Sequence, residues 1–381
     1  MRILAIETSC DETAAAIVDF STKNQPGIIL STQVATSLAL HAKTGGIIPE
    51  IAARNQIQYI IPVIDKTLKD ASMKGTDIDA IAVTYGPGLI GSLLIGVETA
   101  KTLSYVFDKP LIPVNHLFGH IYANFIGENS KLPEFPAIAL IISGGHTDLV
   151  LMKSHTDIDW LGGTRDDASG EALDKIGRML GISYPAGPEI EQLAKKGNPK
   201  AFRFPRPIMH DGNYDFSFSG LKTAVLRELE KRGVTRAWGR TEGSLPASEA
   251  KTGQNPHRVP AGSEDDRSHR MGDGKRQDPE ILKQDIARCT QDAIFDVLLY
   301  KTMKAAKEFN VKSILLGGGV AANETLREQF AVISSQLGVK FFAPAKSLCT
   351  DNAAMIAAAA YYIGKETAWE NVTANPELYF D

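Results

Sequence analysis

Two histidines, His116 and His120, stand four residues apart in the segment His-Leu-Phe-Gly-His. On a helix both imidazoles would face the same side, where they can bind one metal ion. Asp351, just before an alanine-rich segment, is a third candidate ligand, although an aspartate at that place is equally typical of a helix N-cap. Two histidines and a carboxylate suit Fe(II) or Zn with open coordination positions for a substrate. No acidic residue lies between the histidines, which argues against a zincin-type peptidase.

Small polar residues also occur in two similar turns. Residues 7–13 connect predicted strands at 2–6 and 14–19, and residues 143–147 connect predicted strands at 137–142 and 148–152. In the second turn Ser143, Gly144 and Gly145 allow backbone N–H groups to point to an anion. Each turn alone is also typical of an ordinary hairpin. Their recurrence near the start of each half of the chain favours a pair of phosphate-binding turns.

A glycine-rich loop at 317–323 follows a predicted strand and precedes a predicted helix. Its glycines would let a ligand approach the backbone, and Asn323 would either cap the helix or hydrogen-bond an adenosine. The first half contains the same order, with a strand at 78–84, a loop at 85–89 and a helix at 92–107. The repetition of both patterns predicts two related α/β lobes.

Three further segments carry groups suited to nucleotide or RNA binding. Asp174 lies in an acidic stretch that runs into a helix, and Gly187 lies in a turn rich in Gly and Pro. A carboxylate there could hold ribose hydroxyls, although acids are common near helix N-termini for electrostatic reasons. Residues 215–219 alternate aromatic and serine side chains, which suggests a strand that leads into a helix carrying Lys222. Residues 203–207 combine arginines with a phenylalanine, which suits RNA stacking and phosphate contact.

The 381 residues, 43% of them hydrophobic, exceed one ordinary domain and suit two lobes. We predict an N-terminal lobe at 1–115, against which some C-terminal helices pack, a C-terminal lobe at 116–362 and a tail at 363–381. We interpret residues 236–278 as a surface insertion into the second lobe, because they include almost no branched aliphatic side chains to bury. Mixed charges are typical of a solvated loop, and an arm that contacts RNA or a partner is the alternative.

The formal net charge is -4 and the isoelectric point is about 6.1. A protein that binds RNA alone is usually basic, so RNA binding here would need a local basic patch or a helper subunit. Three cysteines without paired spacing are typical of a reducing cytosol. The N-terminus does not resemble a signal peptide, and the sequence has no apolar stretch of about 18 residues. We therefore expect a cytoplasmic protein that does not enter a membrane.

Together the motifs resemble those of the bacterial tRNA adenosine threonylcarbamoyltransferases, a family once named glycoprotein endopeptidases. The resemblance covers residues 3–362 apart from the insertion. It is carried by residues 7–13, 86–89, 116–120, 143–147, 216–223, 317–323 and 349–353. Such a set in this order is specific, whereas any one motif alone is not. The resemblance implies an α/β chain with a two-lobed actin-like, sugar-kinase-like ATPase fold, in which each lobe is a mixed sheet flanked by helices.

The resemblance also implies roles for individual residues. His116, His120 and Asp351 would hold one divalent metal ion, with Fe(II) as the first choice and Zn as the second. An adenylate nucleotide, either threonylcarbamoyl-adenylate or ATP, would occupy the cleft. Its expected contacts are Ile141, Ile142, Ser143, Gly144, Gly145, Asp174, Gly187, Glu191 and Asn323. Asp11 and Glu12 stand where a catalytic or tRNA-positioning acid is expected.

The implied reaction transfers a threonylcarbamoyl group from its adenylate to the exocyclic amine of the adenosine 3′ of the anticodon in ANN-decoding tRNAs, and releases AMP. Members are expected to need a smaller paralogous, TsaB-like subunit and a TsaE-like P-loop ATPase. This chain departs from the family at Phe118, where members often carry Glu, and in the length of its insertion. A small-molecule kinase of the same fold and a non-catalytic nucleotide-binding scaffold are the alternatives, but neither needs two histidines and an aspartate in an open site.

Overall fold

Two five-stranded sheets form the framework of the described part of the molecule. The computed structural model describes residues 1–21, 25–44, 46–127, 131–234 and 278–380. The predicted insertion at 236–278 lies outside these residues except for Asp278. The side chain of Asp278 caps a long helix by accepting a hydrogen bond from the Glu280 N–H at 2.8 Å.

The first sheet combines an antiparallel meander with two parallel strands. Its strands are β1 (Arg2–Glu7), β2 (Glu12–Asp19), β3 (Ile28–Thr36), β4 (Ala80–Gly86) and β5 (Leu111–Asn115). Their order is β3-β2-β1-β4-β5, with β1, β2 and β3 antiparallel and β1, β4 and β5 parallel. Strands β1 and β4 are nearly continuous apolar runs and are buried, as expected for strands covered on both faces.

The second sheet repeats this arrangement. Its strands are β6 (Ala137–Ile142), β7 (Thr147–Met152), β8 (Ile158–Gly163), β9 (Ser313–Gly317) and β10 (Lys340–Phe342). Their order is β8-β7-β6-β9-β10, with β6, β7 and β8 antiparallel and β6, β9 and β10 parallel. Counted from the first strand of each half, both sheets therefore have the order 3-2-1-4-5. The prediction of two mixed sheets flanked by helices is confirmed.

The α-helices of the described residues lie between and around the sheets. They are α1 (Leu38–Thr44), α2 (Pro49–Asp70), α3 (Ile90–Phe107), α4 (His116–Tyr122), α5 (Ser169–Met179), α6 (Gly187–Ala194), α7 (Ser219–Lys231), α8 (Pro279–Glu308), α9 (Glu324–Gln336) and α10 (Ala353–Ile363). None of these helices is both long and apolar enough to span a membrane.

One predicted element is wrong. Residues 215–219 do not form a strand, and only Phe216 pairs, in an isolated bridge with Thr164. The carboxylate of Asp166 accepts hydrogen bonds from the Phe218 N–H at 2.8 Å and the Ser219 N–H at 3.2 Å. Because these donors are used at the first turn of α7, the chain enters the helix instead of extending along a sheet.

The helices α4 and α10 pack in the space between the two sheets. Helix α10 contacts β1, β2 and α4, while α4 also contacts β6 and β9 of the second sheet. Residues 353–360 are at most 3% exposed, and six of these eight residues are alanines. The contact is so close that a Cβ on Gly119 would lie 2.7 Å from Ile356 Cδ1. This packing places the start of α10 next to α4.

Candidate metal centre

His116 and His120 of α4 face Asp351, which lies just before α10. The Nε2 atoms of His116 and His120 lie 3.6 Å and 3.3 Å from Asp351 Oδ1. The three candidate ligand atoms lie within 4.8 Å of one another. The cap of α10 is Asn352, whose side chain accepts a hydrogen bond from the Met355 N–H at 3.0 Å. Asp351 therefore does not serve as the N-cap, and its carboxylate points to the histidines.

A buried carboxylate orients the first histidine. Glu7, at the end of β1, is fully buried, and its Oε2 lies 3.2 Å from His116 Nδ1. The Ser9 N–H donates to the other oxygen of Glu7, and the Thr84 hydroxyl donates to Oε2. A carboxylate on one ring nitrogen fixes the tautomer and the rotation of an imidazole. Glu7 therefore leaves Nε2 of His116 available for a metal ion.

Charge at the centre is balanced between imidazoles and carboxylates. Burial opposes a positive charge on His116, but the charges of Asp351 and Glu7 outweigh it and raise the pKa of His116 to about 9. Burial also opposes the charge on Asp351, yet His116 and His120 hold the pKa of that carboxyl well below its usual range. Burial, together with the charges of His116 and His120, lowers the pKa of His146 to about 3. Because a metal needs neutral imidazoles, a cation bound here would replace a proton.

The residues fit a metal ion by an independent criterion. His120 is 1% exposed, and neither of its ring nitrogens forms a hydrogen bond within the described part of the chain. Its Nε2 lies 3.3 Å from Asp351 Oδ1 but outside hydrogen-bond geometry. Buried ring nitrogens without hydrogen bonds are unfavourable, because they have lost their hydrogen bonds to water. A cation held between His116, His120 and Asp351 would satisfy Nε2 of His120. Two histidines and one carboxylate are a donor set that suits Fe(II) or Zn.

Asp11 ends the turn between β1 and β2, and Glu12 is the first residue of β2. Gln56 of α2 holds this turn by donating to the carbonyl oxygens of Cys10 (3.1 Å) and Glu12 (2.8 Å). Burial, followed by the charges of Asp351 and Asp11, raises the pKa of Glu12 to about 10. Asp11 is 6% exposed, and its Oδ2 has no hydrogen bond to any described residue. The pair therefore combines a Glu12 whose pKa is raised with a buried Asp11 whose Oδ2 has no hydrogen bond among the described residues.

The turn between β6 and β7 meets two glycines from elsewhere in the chain. Ser143 closes the turn, since its N–H donates to the His146 carbonyl (2.8 Å) and its hydroxyl accepts from the His146 N–H (3.1 Å). A Cβ on Gly170, at the start of α5, would lie 2.5 Å from the Ser143 carbonyl oxygen. A Cβ on Gly318, whose φ is +89°, would lie 2.4 Å from the carbonyl oxygen of Ile142. Only glycine permits both approaches.

The open part of this turn is its tip. Gly144 and Gly145 are exposed, and no atom lies within 4 Å of the position that a Cβ would occupy on either residue. Ile141 and Ile142, in contrast, are fully buried. A ligand can therefore reach the backbone of the glycines. The two isoleucines, in contrast, anchor the turn in the core at the end of β6.

The remaining predicted contacts lie where α5, α6 and α9 meet. Asp174 accepts a hydrogen bond from the Ala186 N–H at 2.7 Å and a further one from the Gly187 N–H, while burial raises its pKa. Glu191 accepts a hydrogen bond from the Glu324 N–H at 3.0 Å, at the start of α9. These carboxylates join neighbouring helices, so their hydrogen-bonding capacity is already partly used.

Asn323 adopts the capping role that the sequence allowed. Its Oδ1 accepts a hydrogen bond from the Leu326 N–H at 3.0 Å, and its Nδ2 donates to Gln291 Oε1 at 3.1 Å. Tyr184 is close enough to acids of both halves that, after burial, the charges of Asp174 and Asp11 raise the pKa of its hydroxyl.

Comparison with known proteins identifies the family. The family model of the tRNA N6-adenosine threonylcarbamoyltransferases (TsaD) matches residues 28–358. The chain belongs to this family. A transferase of that name from Moorella thermoacetica is 44% identical over 379 residues, which cover 99% of this chain and 96% of its own length. Another, from Thermomicrobium roseum, is 46% identical over 370 residues, which cover 96% of this chain and 92% of its own length.

Solved structures support the fold of the transferase. HypF from T. kodakarensis is similar with a TM-score of 0.56, and the match covers 94% of this chain and 47% of that one. Full-length HypF in a phosphate- and nucleotide-bound form gives a TM-score of 0.54 over 97% of this chain and 56% of that one. Sequence identity is 13% in both cases, so these matches support the fold alone. The transferase has the two-lobed actin-like ATPase fold.

Phe118 of the transferase points away from the ligand set. Its ring lies 5.6 Å from that of Phe380 in an edge-on contact. The neighbouring Tyr379 accepts a hydrogen bond from the Asn115 side chain through its carbonyl and donates one to Asp148 through its hydroxyl. The Phe118 ring thus contacts the C-terminal residues at the start of α4.

Three residues at the centre were not assigned a role from the sequence. Glu7, His146 and Tyr184 contact or influence the predicted ligands and acids, but they come from different elements. Only Glu7 carried a signal, because a carboxylate at the end of an otherwise apolar strand needs a buried partner.

The role of Glu7 can be tested through metal affinity. We expect Glu7→Gln to lower the affinity of the full chain for Fe(II) or Zn by about 10- to 100-fold, because the amide binds His116 less strongly than a carboxylate does. Direct metal titration measures this change. Glu98→Gln, on an exposed side chain of α3, is the matched control. Equal affinities in the two variants would contradict an orienting role for Glu7.

The pKa of Glu12 predicts how stability depends on pH. Its folded value of about 10 lies above the ordinary value of 4.5, so its contribution is fully present below about pH 4.5 and is lost as the pH rises toward 10. Glu12→Gln should flatten this decline in the free energy of unfolding. Denaturant titrations of both proteins across this pH range measure the effect. Parallel pH profiles would mean that Glu12 is ionised in the folded protein.

Proposed function

We propose that the transferase moves the threonylcarbamoyl group of threonylcarbamoyl-adenylate to the exocyclic amine of the adenosine 3′ of the anticodon in ANN-decoding tRNAs, and releases AMP. Family membership supports the reaction class. The observation that carries the proposal is the buried His120, whose Nε2 lies 3.3 Å from Asp351 Oδ1 beside His116, and whose ring nitrogens form no hydrogen bond of normal geometry within the described residues. Charges of this set reach both neighbouring turns, since His116 and His120 lower the pKa of His146 and Asp351 raises the pKa of Glu12, next to Asp11.

The adenylate would bind across the second half of the cleft. The exposed backbone of Gly144 and Gly145 suits its phosphate, since free N–H groups at a tight turn attract anions. The glycine-rich loop ending at Asn323 suits the adenosine, because bare backbone permits close approach. Asp174 and Gly187 border the same space, and Ile141, Ile142 and Glu191 would support it through packing and hydrogen bonds.

The acyl transfer requires one bond to form and one to break. The amine nitrogen of the adenosine forms a bond to the carbamoyl carbon, the bond from that carbon to the phosphate oxygen breaks, and AMP leaves with the electron pair. A metal ion bound by His116, His120 and Asp351 would supply Lewis-acid polarisation of the acyl oxygen. Backbone N–H groups of Gly144 and Gly145 would offset the negative charge that develops on the leaving phosphate.

Two acidic residues of the chain would accept and position the proton that the amine loses. Asp11 would accept the proton that the amine loses, because its Oδ2 is buried without a hydrogen bond. Glu12 keeps its proton at neutral pH and can donate a hydrogen bond to Asp11. His146 stays neutral and adds no competing positive charge. These assignments give the two neighbouring carboxyl groups different tasks, as their different surroundings require.

The TsaB-like and TsaE-like partners would leave the cleft open if they bind elsewhere. Helices α2 and α3, which cross where Ala53 meets Gly91, expose apolar side chains far from the metal centre. On α2, Ile57 is 64% and Ile61 is 59% exposed, and Leu94 on α3 is 45% exposed. Such an apolar face is typical of a protein interface. We assign it to the smaller paralogous subunit.

Transfer of label provides the main test. Labelled threonylcarbamoyl-adenylate, tRNA and both partner proteins are combined with the full chain, and label in the tRNA is counted. His116→Ala should lower the rate by at least about 100-fold, because the ligand set is broken. His210→Ala, an exposed histidine on the second half, should leave it unchanged. If the wild type moves no label but phosphorylates a small acceptor with ATP, the kinase alternative replaces this proposal.

The partner surface has a separate test. Ile57→Asp should raise the dissociation constant for the smaller paralogue by at least about tenfold, because a charge enters the centre of an apolar contact. Val332→Asp, at a similarly exposed position (57%) on α9, is the control. Binding is measured with the purified subunits by calorimetry. An unchanged dissociation constant for Ile57→Asp would place the interface elsewhere.

A further inference from the structure

An open groove lies on the second half of the molecule, outside the cleft. The chain segment 199–206 forms it, and its volume is about 740 Å³. Its lining includes Lys200, Arg203 and Arg206 together with Phe202 and Phe204. No residue of this segment is acidic. Three cations therefore lie together in this segment of a protein whose net charge is -4. Among the described residues, the carboxylate paired with them is Asp296, while Glu228 pairs with the nearby Arg232.

Two of the three cations are free to bind a ligand. Lys200 and Arg203 are exposed, and within the described residues neither has a carboxylate at salt-bridge distance. Arg206 differs, because its guanidinium binds Asp296 at 2.7 Å. Asp296 therefore fixes the wall of the groove and is itself largely neutralised, while Lys200 and Arg203 keep their charge for a partner from solution.

Aromatic side chains form the floor of the groove. The rings of Phe202 and Phe204 are nearly parallel, with centroids 5.5 Å apart, and Phe204 is 6% exposed. The guanidinium of Arg232 lies 4.9 Å from the centre of the Phe202 ring. A positive groove with an aromatic and guanidinium stack is the combination that binds a nucleic-acid backbone and an unpaired base.

Packing contacts join the groove to the turn around Ser143. Pro207 directly follows the groove and packs near Gly220, at the first turn of α7, where a Cβ would lie 3.7 Å from the proline ring. The same turn is held by Asp166, which precedes α5. The start of α5 in turn contacts the Ser143 turn through Gly170. The groove and the proposed adenylate site are therefore carried by elements that contact one another.

We propose that the groove at 199–206 binds the substrate tRNA, with Lys200 and Arg203 contacting backbone phosphates and the Phe202–Arg232 stack contacting an unpaired base. The inference rests on the proposed function, because it takes tRNA as the substrate. It explains how an acidic protein can bind RNA, since the cations lie together in one concave surface. An open groove also suits an extended polymer better than a single small anion.

Binding of fluorescent tRNA to the full chain with its two partner proteins tests the groove. Lys200→Gln combined with Arg203→Gln should weaken binding by about tenfold, and should reduce the slope of log affinity against log salt by about 1.4 to 1.8, because each lost phosphate contact removes about 0.7 to 0.9. Phe202→Leu should weaken binding without changing that slope, because stacking is not ionic. Lys74→Gln combined with Lys365→Gln, two exposed lysines of the other half, is the control.

Transfer kinetics separate the groove from the reaction. In the glutamine variant the KM for tRNA should rise while kcat at saturating tRNA stays unchanged. If transfer proceeds but the glutamine variant matches the control in affinity and salt slope, the groove does not bind tRNA. If Phe202→Leu binds as tightly as the wild type, the base contact is wrong. If the predicted binding changes occur but the wild type transfers no label, tRNA binding by the groove is supported and the proposed function is wrong.

Discussion

Helices α10 and α4 and the two sheets approach one another so closely that much of the contact on α10 is made by small side chains. The alanines of α10 meet this constraint, and Gly119 of α4 meets it on the other side. Their packing determines how the two halves of the chain are joined. It also places Asp351, at the entrance to α10, within reach of two histidines that are more than 230 residues earlier in the chain. The ligand set depends on this contact between helices.

The buried polar groups around the centre form one connected system. Glu7 orients His116, and both His116 and His120 favour the ionised form of Asp351. The charge on Asp351, together with burial, keeps the proton on Glu12. A change at any of these groups would thus alter the protonation of the others. Placing such a system in a dry interior is unfavourable unless its charges are paired, which is why it lies where several elements can contribute partners.

Local sequence patterns predicted much of the fold and part of the site. The spacing of His116 and His120 and the two polar turns depend on neighbouring residues, and sequence can reveal such patterns directly. The pairing of Glu7 with His116 depends on the alignment of β1 with α4, which no local pattern contains. The prediction of a strand at 215–219 was wrong for a similar reason. Asp166, which is distant in sequence, accepts hydrogen bonds from the N–H groups at the start of α7.

The two halves contribute to the centre from equivalent places in their topology. In each half the fifth strand is followed by the segment that carries ligands: β5 leads directly into α4 with its histidines, and β10 is followed by Asp351 and α10. Helix α10 nevertheless packs against β1 and β2 of the first sheet as well as against α4. Asp351 and the two histidines therefore lie on, or just before, two helices in direct contact. The distances between the candidate ligand atoms consequently depend on that contact, so a substitution that separates α4 from α10 would change the ligand geometry even where each helix stays intact.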